Sequence, residues 1–259
     1  MAKDFTWKQN AEKVIRDVLT DVRPTLVAAW GNAEFTLKKD RSIVTELDVT
    51  VENRLREALT KFDKSVGFGG EESGVDYEQK TFWIADPIDG TEQLTRGIRG
   101  CVNQLALIED GTPTMSIIYD FIGDEWYAAF AGHGAFCNGR QIHTSERPLD
   151  RSWLNFDLPL AAATAEDKVA AERLQALPVK LIKTIEAARF VASGKIEGYI
   201  AVKGRGGPWD YVPRAMLMQE AGARVTHLHG GPYDFRDPNF IAAPPHLYDD
   251  IFTAINTLK

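Results

Sequence analysis

The sequence predicts an α/β (α+β) protein in two halves, and three features of its patterning carry that reading. Two amphipathic helical stripes open the chain, over residues 7–30 and 48–62. Between residues 81 and 142, apolar runs follow one another with only turn residues between them, the mark of an antiparallel sheet. From residue 153 onward, short apolar runs alternate with helical segments, the mark of a second α/β layer set. The division is expected between residues 145 and 151, giving an N-terminal domain over 1–147 and a C-terminal one over 148–259.

The first helix rests on Ala11, Val14, Ile15, Val18, Leu19, Val22 and Leu26, a stripe at helical spacing. Pro24 is expected to kink or interrupt it, because proline removes one ladder bond. A polar hinge follows, Lys38-Lys39-Asp40-Arg41-Ser42, a solvated loop from which a lysine could reach a site. The second helix carries Val51, Leu55, Ala58, Leu59 and Phe62 on one face, with Asp48 and Thr50 where an N-cap belongs. Residues 66–70 form a glycine-rich strand end leading into Glu71-Glu72-Ser73.

Residues 81–85 read as a buried strand that stops at Asp86, because Pro87 cannot donate to a ladder. Strands follow over 101–108, 114–119 and 125–130. Asn138-Gly139, flanked by Ala135-Phe136-Cys137 and Arg140-Gln141-Ile142, is a two-residue hairpin signal. In the second half, strands are expected over 153–158, 179–182, 198–202, 224–228 and 240–243. Helices are expected over 163–177, 185–193 with Gly194 closing it, 209–221, and from His246.

Net charge is -7 and the sequence pI about 5.3, which argues against a nucleic-acid-coating surface. No apolar stretch is long enough to cross a bilayer, and the start lacks a signal-peptide apolar core. A cytoplasmic location is therefore expected, with Cys101 and Cys137 reduced. The histidines show no zinc spacing, and there is no nucleophile elbow, P-loop or dinucleotide fingerprint.

The chemistry concentrates in Asp86-Pro87-Ile88-Asp89-Gly90-Thr91. Two carboxylates on one tight turn repel unless a cation lies between them, and a hard divalent ion with oxygen ligands is the natural partner. An Asp-Pro turn followed by an Asp-Gly turn would look the same, so the residues alone leave both readings open.

This segment, preceded by Gly70-Glu71-Glu72-Ser73 and followed far downstream by Trp209-Asp210, resembles the inositol monophosphatase family of magnesium-dependent, lithium-sensitive phosphatases. The resemblance runs over nearly the whole chain. It implies a layered α-β-α-β-α sandwich and hydrolysis of a small-molecule phosphate monoester. It also implies a ligand set. Glu71, Asp86 and the Ile88 carbonyl would hold one Mg2+ ion, and Asp86, Asp89 and Asp210 a second, with a third, weaker ion at Glu71. Thr91 and Asp48 would orient and deprotonate the attacking water. Amides of Gly90 and Thr91 would receive phosphate oxygens. A homodimer is the expectation from the family's habit.

The chain departs from the family pattern near the leaving group. Gln93 and Leu94 replace the usual asparagine and aromatic residue, and Ile182-Lys183-Thr184 replaces a small-residue turn. The acidic residue that would contact inositol hydroxyls before Trp-Asp is not evident; Ala201 stands near that place, with Lys203 and Arg205 in a longer loop. With Lys183 they suggest a basic rim that favours a leaving group carrying its own anion. Histidinol phosphate, fructose bisphosphate and adenosine bisphosphate stand as alternatives to inositol phosphate. A catalytically silent metal-binding relative is the alternative from another class, and the complete acidic set speaks against it.

Overall fold

The computed structural model describes residues 2–38, 42–204 and 206–256. It divides into two compact units, Met1–Ala131 and Gly132–Lys259. Sequence reasoning puts the division near residue 147. The hairpin of residues 134–142 falls in the second unit, where the Glu220 carboxylate accepts the amides of Gly132 and Gly134, at 3.0 Å for each from Oε2.

The first unit begins with α1 (Phe5–Ala29), capped by the Asp4 carboxylate on the Trp7 amide. Pro24 lies inside it and does not interrupt it. One missing ladder bond is outweighed by the buried stripe of Ala11, Ile15, Leu19, Val22 and Leu26. A short antiparallel pair, β1 (Thr36–Leu37) and β2 (Ile43–Val44), brackets the polar hinge. Then comes α2 (Glu46–Phe62), whose N-cap is Thr45 rather than Asp48 or Thr50. Asp48 is the third helical residue, and its carboxylate returns to the Thr45 amide in a capping box. Thr50 donates back to the Glu46 carbonyl.

The sheet of this unit runs in the order β3 (Gly67–Gly70), β4 (Thr81–Asp89), β5 (Val102–Glu109), β6 (Thr112–Asp120), β7 (Glu125–Phe130). From β4 to β7 it is antiparallel, as expected, but β3 joins β4 in parallel. Strand β4 does not stop at Asp86. It continues through Pro87 to Asp89, with its register on β5 shifting between Asp86 and Asp89. A bulge is the one interior position where a strand tolerates proline, since no ladder donor is required there. Gly90, at φ 83°, turns the chain into α3 (Thr91–Arg96). Helices α1 and α2 pack on each other, and α2 lies against β3 and β4.

The second unit opens with the predicted hairpin, β8 (Gly134–Cys137) and β9 (Arg140–Ile142), turned by Asn138 and Gly139 at φ 48° and 77°. Its sheet combines β10 (Trp153–Asp157), β11 (Lys180–Ile182), β12 (Gly198–Ala201), β13 (Arg224–His227) and β14 (Phe240–Ala243), in the order β11-β10-β12-β14-β13. The first three are parallel, and β12, β14 and β13 are antiparallel. Helices α4 (Ala165–Ala176), α5 (Ala187–Ala192), α6 (Pro208–Glu220) and α7 (Pro245–Asn256) alternate with them, as the patterning predicts. Leu154, Ile200, Ile241, Leu247 and Ile251 centre its core. Among the described residues, no helix is long and apolar enough to cross a membrane.

Candidate active site

In the first unit, the β4 bulge gathers the acidic groups. Asp86 is 1% exposed and Asp89 8%. Each offers a carboxylate oxygen within 4.8 Å of the other. The Asp86 carboxylate accepts the Ile88 amide at 3.0 Å, which closes the turn. The Asn103 side chain donates to the Pro87 carbonyl from β5, so the bulge is held from its neighbour strand. The Ile88 carbonyl accepts the Thr91 hydroxyl at 2.9 Å. A carbonyl oxygen has two lone pairs, and one remains for a cation.

Thr91 lies at the start of α3, immediately after the left-handed Gly90. Its Oγ1 also reaches Asp48 Oδ1 at 3.0 Å. The other Asp48 oxygen is taken by the Thr45 amide and hydroxyl, at 2.8 and 2.6 Å. Burial pushes the Asp48 carboxyl above the ordinary Asp value. Its hydrogen bonds from Thr45 and Thr91 oppose that rise, and the Glu71 charge adds to it. Asp48, Thr91 and the bulge therefore come together.

Glu71 follows β3. Burial pushes its carboxyl up, the Lys38 ammonium opposes this, and the charges of Glu72 and Asp89 raise it further. Lys38 Nζ sits 2.7 Å from Glu71 Oε1 and 2.6 Å from Glu72 Oε1. Burial acts to lower the Lys38 ammonium, but the two carboxylates outweigh it and hold its pKa above the usual lysine value. The hinge lysine thus does reach the site.

Donor chemistry tests whether a divalent cation fits. Glu71, Asp86, Asp89 and the Ile88 carbonyl form an all-oxygen set, largely buried and mutually repulsive, suited to a hard ion. The Lys38 ammonium against Glu71 shows that a cation is already accepted there. The set fits.

In the second unit, Asp210 is the third residue of α6 and accepts the Gly207 amide at 2.7 Å. Gly206, at φ 101°, leaves room for that carboxylate, since a Cβ there would lie 2.0 Å from Asp210 Oδ2. Lys183 Nζ lies 3.1 Å from Asp157 Oδ1, and Lys203 Nζ 2.5 Å from Asp167 Oδ2. Each lysine of the expected basic rim is thus paired with an aspartate of its own unit. Arg205 lies outside the described residues.

A sequence profile described as the inositol monophosphatase family matches residues 2–258. The chain belongs to that family. Among curated relatives, inositol monophosphatase 1 of Solanum lycopersicum is 28% identical over 229 residues, covering 82% of each chain. The fructose-1,6-bisphosphatase/inositol-1-monophosphatase of Thermotoga maritima is 26% identical over 242 residues, covering 92% of this chain and 93% of that one. Among solved structures, the extragenic suppressor protein suhB of Bartonella henselae superposes with a TM-score of 0.83 at 26% identity, covering 95% of this chain and 98% of that one. The mixed α/β class read from the sequence is the family's fold. Family members are metal-dependent phosphatases, and the named relatives support phosphatase activity here.

Sequence reasoning missed two residues that shape the site, Asn103 behind the bulge and Glu52 behind the Glu71 turn. Glu52 carried a signal, since it falls four residues after Asp48 on the same helix face.

Proposed function

We propose that this protein hydrolyses a small-molecule phosphate monoester in a Mg2+-dependent reaction. The observation that supports this best is the meeting of the Asp48–Thr91 hydrogen bond with the Glu71–Asp86–Asp89 set. In this reading Glu71, Asp86 and the Ile88 carbonyl hold one ion. Asp86, Asp89 and Asp210 hold a second, and a third, weaker ion engages Glu71. Bound Mg2+ would supply charge neutralisation for the phosphate dianion and acidify the attacking water.

The protein's own groups do the positioning. With its hydroxyl hydrogen on Asp48 Oδ1, Thr91 Oγ1 presents a lone pair to the water that attacks phosphorus. As the water's oxygen bonds to phosphorus, its proton passes to Thr91 Oγ1 and the threonine proton to Asp48. The bond from phosphorus to the ester oxygen breaks, that oxygen takes a proton from solvent water and leaves as an alcohol, inorganic phosphate is the other product, and Asp48 returns its proton to solvent. The raised Asp48 carboxyl suits a proton acceptor. Amides of Gly90 and Thr91 receive phosphate oxygens.

Lys183, Lys203, Arg205 and Asp210 border the leaving group in this reading. A leaving group with its own anion is the favoured class, and the bifunctional Thermotoga maritima relative makes fructose bisphosphate the second reading beside inositol phosphate. Inhibition by lithium, a homodimer and a cytoplasmic location belong to the same proposal. The test is turnover of inositol, histidinol, fructose and adenosine phosphates with and without Mg2+. Release of phosphate that survives chelation of all divalent ions would sink the proposal.

A further inference from the structure

We propose that Glu52 is a positioning residue that aims the Glu71 carboxylate, and so sets the protein's affinity for its divalent cation. The inference rests on the metal reading above. Glu52 is 2% exposed and lies on α2, four residues after Asp48. Its Oε2 accepts the Glu72 amide at 2.9 Å, and its Oε1 accepts from Arg56 at 2.6 Å. On the other side of Glu71, the Glu71 amide donates to the Ala85 carbonyl at 3.0 Å. The peptide units before and after Glu71 are therefore both pinned, one by β4 and one by Glu52. With both fixed, the Cα–Cβ direction of Glu71 has little freedom.

The placement is costly enough to need a reason. A buried carboxylate loses hydration, and only Arg56 offsets its charge among the partners that its hydrogen bonds name. A simple turn could be closed by a neutral acceptor. The chain also gives up a side chain for this contact. A Cβ on Gly70 would lie 2.4 Å from Glu52 Oε2 and 2.9 Å from the Ala85 carbonyl, so the residue before Glu71 is glycine because the Glu52 carboxylate occupies that space. Helix α2 then does two things from one face. Asp48 fixes the Thr91 hydroxyl, and four residues on Glu52 fixes the turn that carries the metal ligand. One rigid helix keeps the water-orienting pair and the cation ligand in register, which a flexible turn could not do.

The test compares Glu52→Ala, Glu52→Gln and Arg56→Met on the full chain, with Mg2+ as the probe. Mg2+ affinity is measured by calorimetry and, independently, as the Mg2+ concentration giving half-maximal turnover of an aryl phosphate. Glu52→Ala should weaken Mg2+ about tenfold or more by both measures. Glu52→Gln keeps an acceptor for the Glu72 amide and should stay within about threefold of wild type. Arg56→Met removes the other partner of Glu52 without touching the turn. It should lower the melting temperature and leave Mg2+ affinity unchanged. If Glu52→Ala does not fold, Glu52→Asp, which draws the acceptor back by one methylene, should show the loss of affinity instead. Unchanged Mg2+ affinity in a folded Glu52→Ala, or equal shifts in Glu52→Ala and Arg56→Met, overturns the assignment. A wild type that takes up no Mg2+ in the calorimeter sinks the metal reading itself, and this inference with it.

Discussion

Replacing Thr91 by Ala separates proton handling from cation binding. The hydroxyl has one proton and two acceptors in reach, Asp48 Oδ1 at 3.0 Å and the Ile88 carbonyl at 2.9 Å. In the proposed reaction, removing it takes away the link between the attacking water and Asp48, while Asp86, Asp89, Glu71 and the Ile88 carbonyl stay in place. Loss of positioned proton transfer costs about 10²–10⁴ in rate, or roughly 3–5 kcal/mol of barrier. The fold pays less. Asp48 keeps both Thr45 bonds on Oδ2, so only Oδ1 is left unpaired, at about 1–3 kcal/mol. That lowers the melting temperature by several degrees without unfolding the protein at room temperature. The assay is steady-state turnover of a phosphate ester at saturating Mg2+, beside a Mg2+ titration. The turnover number should fall at least about a hundredfold, the Mg2+ midpoint should move less than about threefold, and Thr91→Ser should recover most of the rate. A turnover number within threefold of wild type, or a Mg2+ midpoint that moves as far as the rate, refutes the relay.

Three further outcomes follow from neighbouring contacts. Gly70→Ala forces a Cβ to within 2.9 Å of the Ala85 carbonyl, and should destabilise the protein by about 1–3 kcal/mol in denaturant unfolding; an unchanged midpoint would show that the strand pair gives way freely. Lys38→Met removes the tethered ammonium from Glu71 and Glu72, so the metal-free protein should melt lower and Mg2+ should raise its melting temperature more than in wild type; a smaller Mg2+ effect would mean that Lys38 aids the ion rather than competing with it. Asp63 binds Lys3, Ser65 and the Trp7 indole, and the Lys3 hydrogen bond foremost holds its carboxyl well below the usual range. A carboxylate whose folded pKa is depressed stabilises the fold above its unfolded value of about 3.9, and that contribution fades as pH falls toward the lower folded value. The stability gap between wild type and Asp63→Asn should therefore be full at pH 6 and shrink below about pH 4; a gap independent of pH would contradict the ion pair.

The contiguous part of the site was legible because its chemistry is written in consecutive residues. Asp86 to Thr91 share one turn, and their proximity needs no tertiary information. The error there was local too. Proline as a strand stop is sound for a regular ladder, but β4 places Pro87 in a bulge, where the missing donor is harmless and both aspartates gain a turn tight enough to bring their carboxylates together. The parallel pairing of β3 with β4 was not legible, since glycine-rich residues 67–70 carry no alternation to set a direction. The capping of α2 shows the opposite case. The pattern Thr-x-x-Asp is a capping-box signature, and an N-cap placed at Asp48 or Thr50 starts the helix too late: Thr45 caps, and Asp48 keeps one oxygen for Thr91.

The basic rim shows why charge is harder to read than position. Lys183 and Lys203 look like a cluster in sequence because their partners, Asp157 and Asp167, lie 26 and 36 residues away in the chain. Lys183 is exposed, so its pair contributes little to stability and opens readily to an incoming anion. Lys203 is more constrained. Its backbone stands at φ 51°, its amide is fixed on Asn239, and its ammonium also reaches the Ala162 carbonyl. A left-handed non-glycine residue held this firmly has a direction chosen for it. If the leaving group carries its own anion, as proposed, the two lysines would meet it unevenly. Lys183 can swing to a second phosphate at low cost, whereas Lys203 would have to leave Asp167, whose carboxyl its hydrogen bond helps to hold below the ordinary range against the opposing effect of burial. Lys183→Met should accordingly raise the Michaelis constant for fructose bisphosphate several-fold more than Lys203→Met does, with inositol phosphate little affected by either. The reverse order in that comparison would mean that Asp167 releases its lysine to the substrate and that the Lys203 backbone is poised for it.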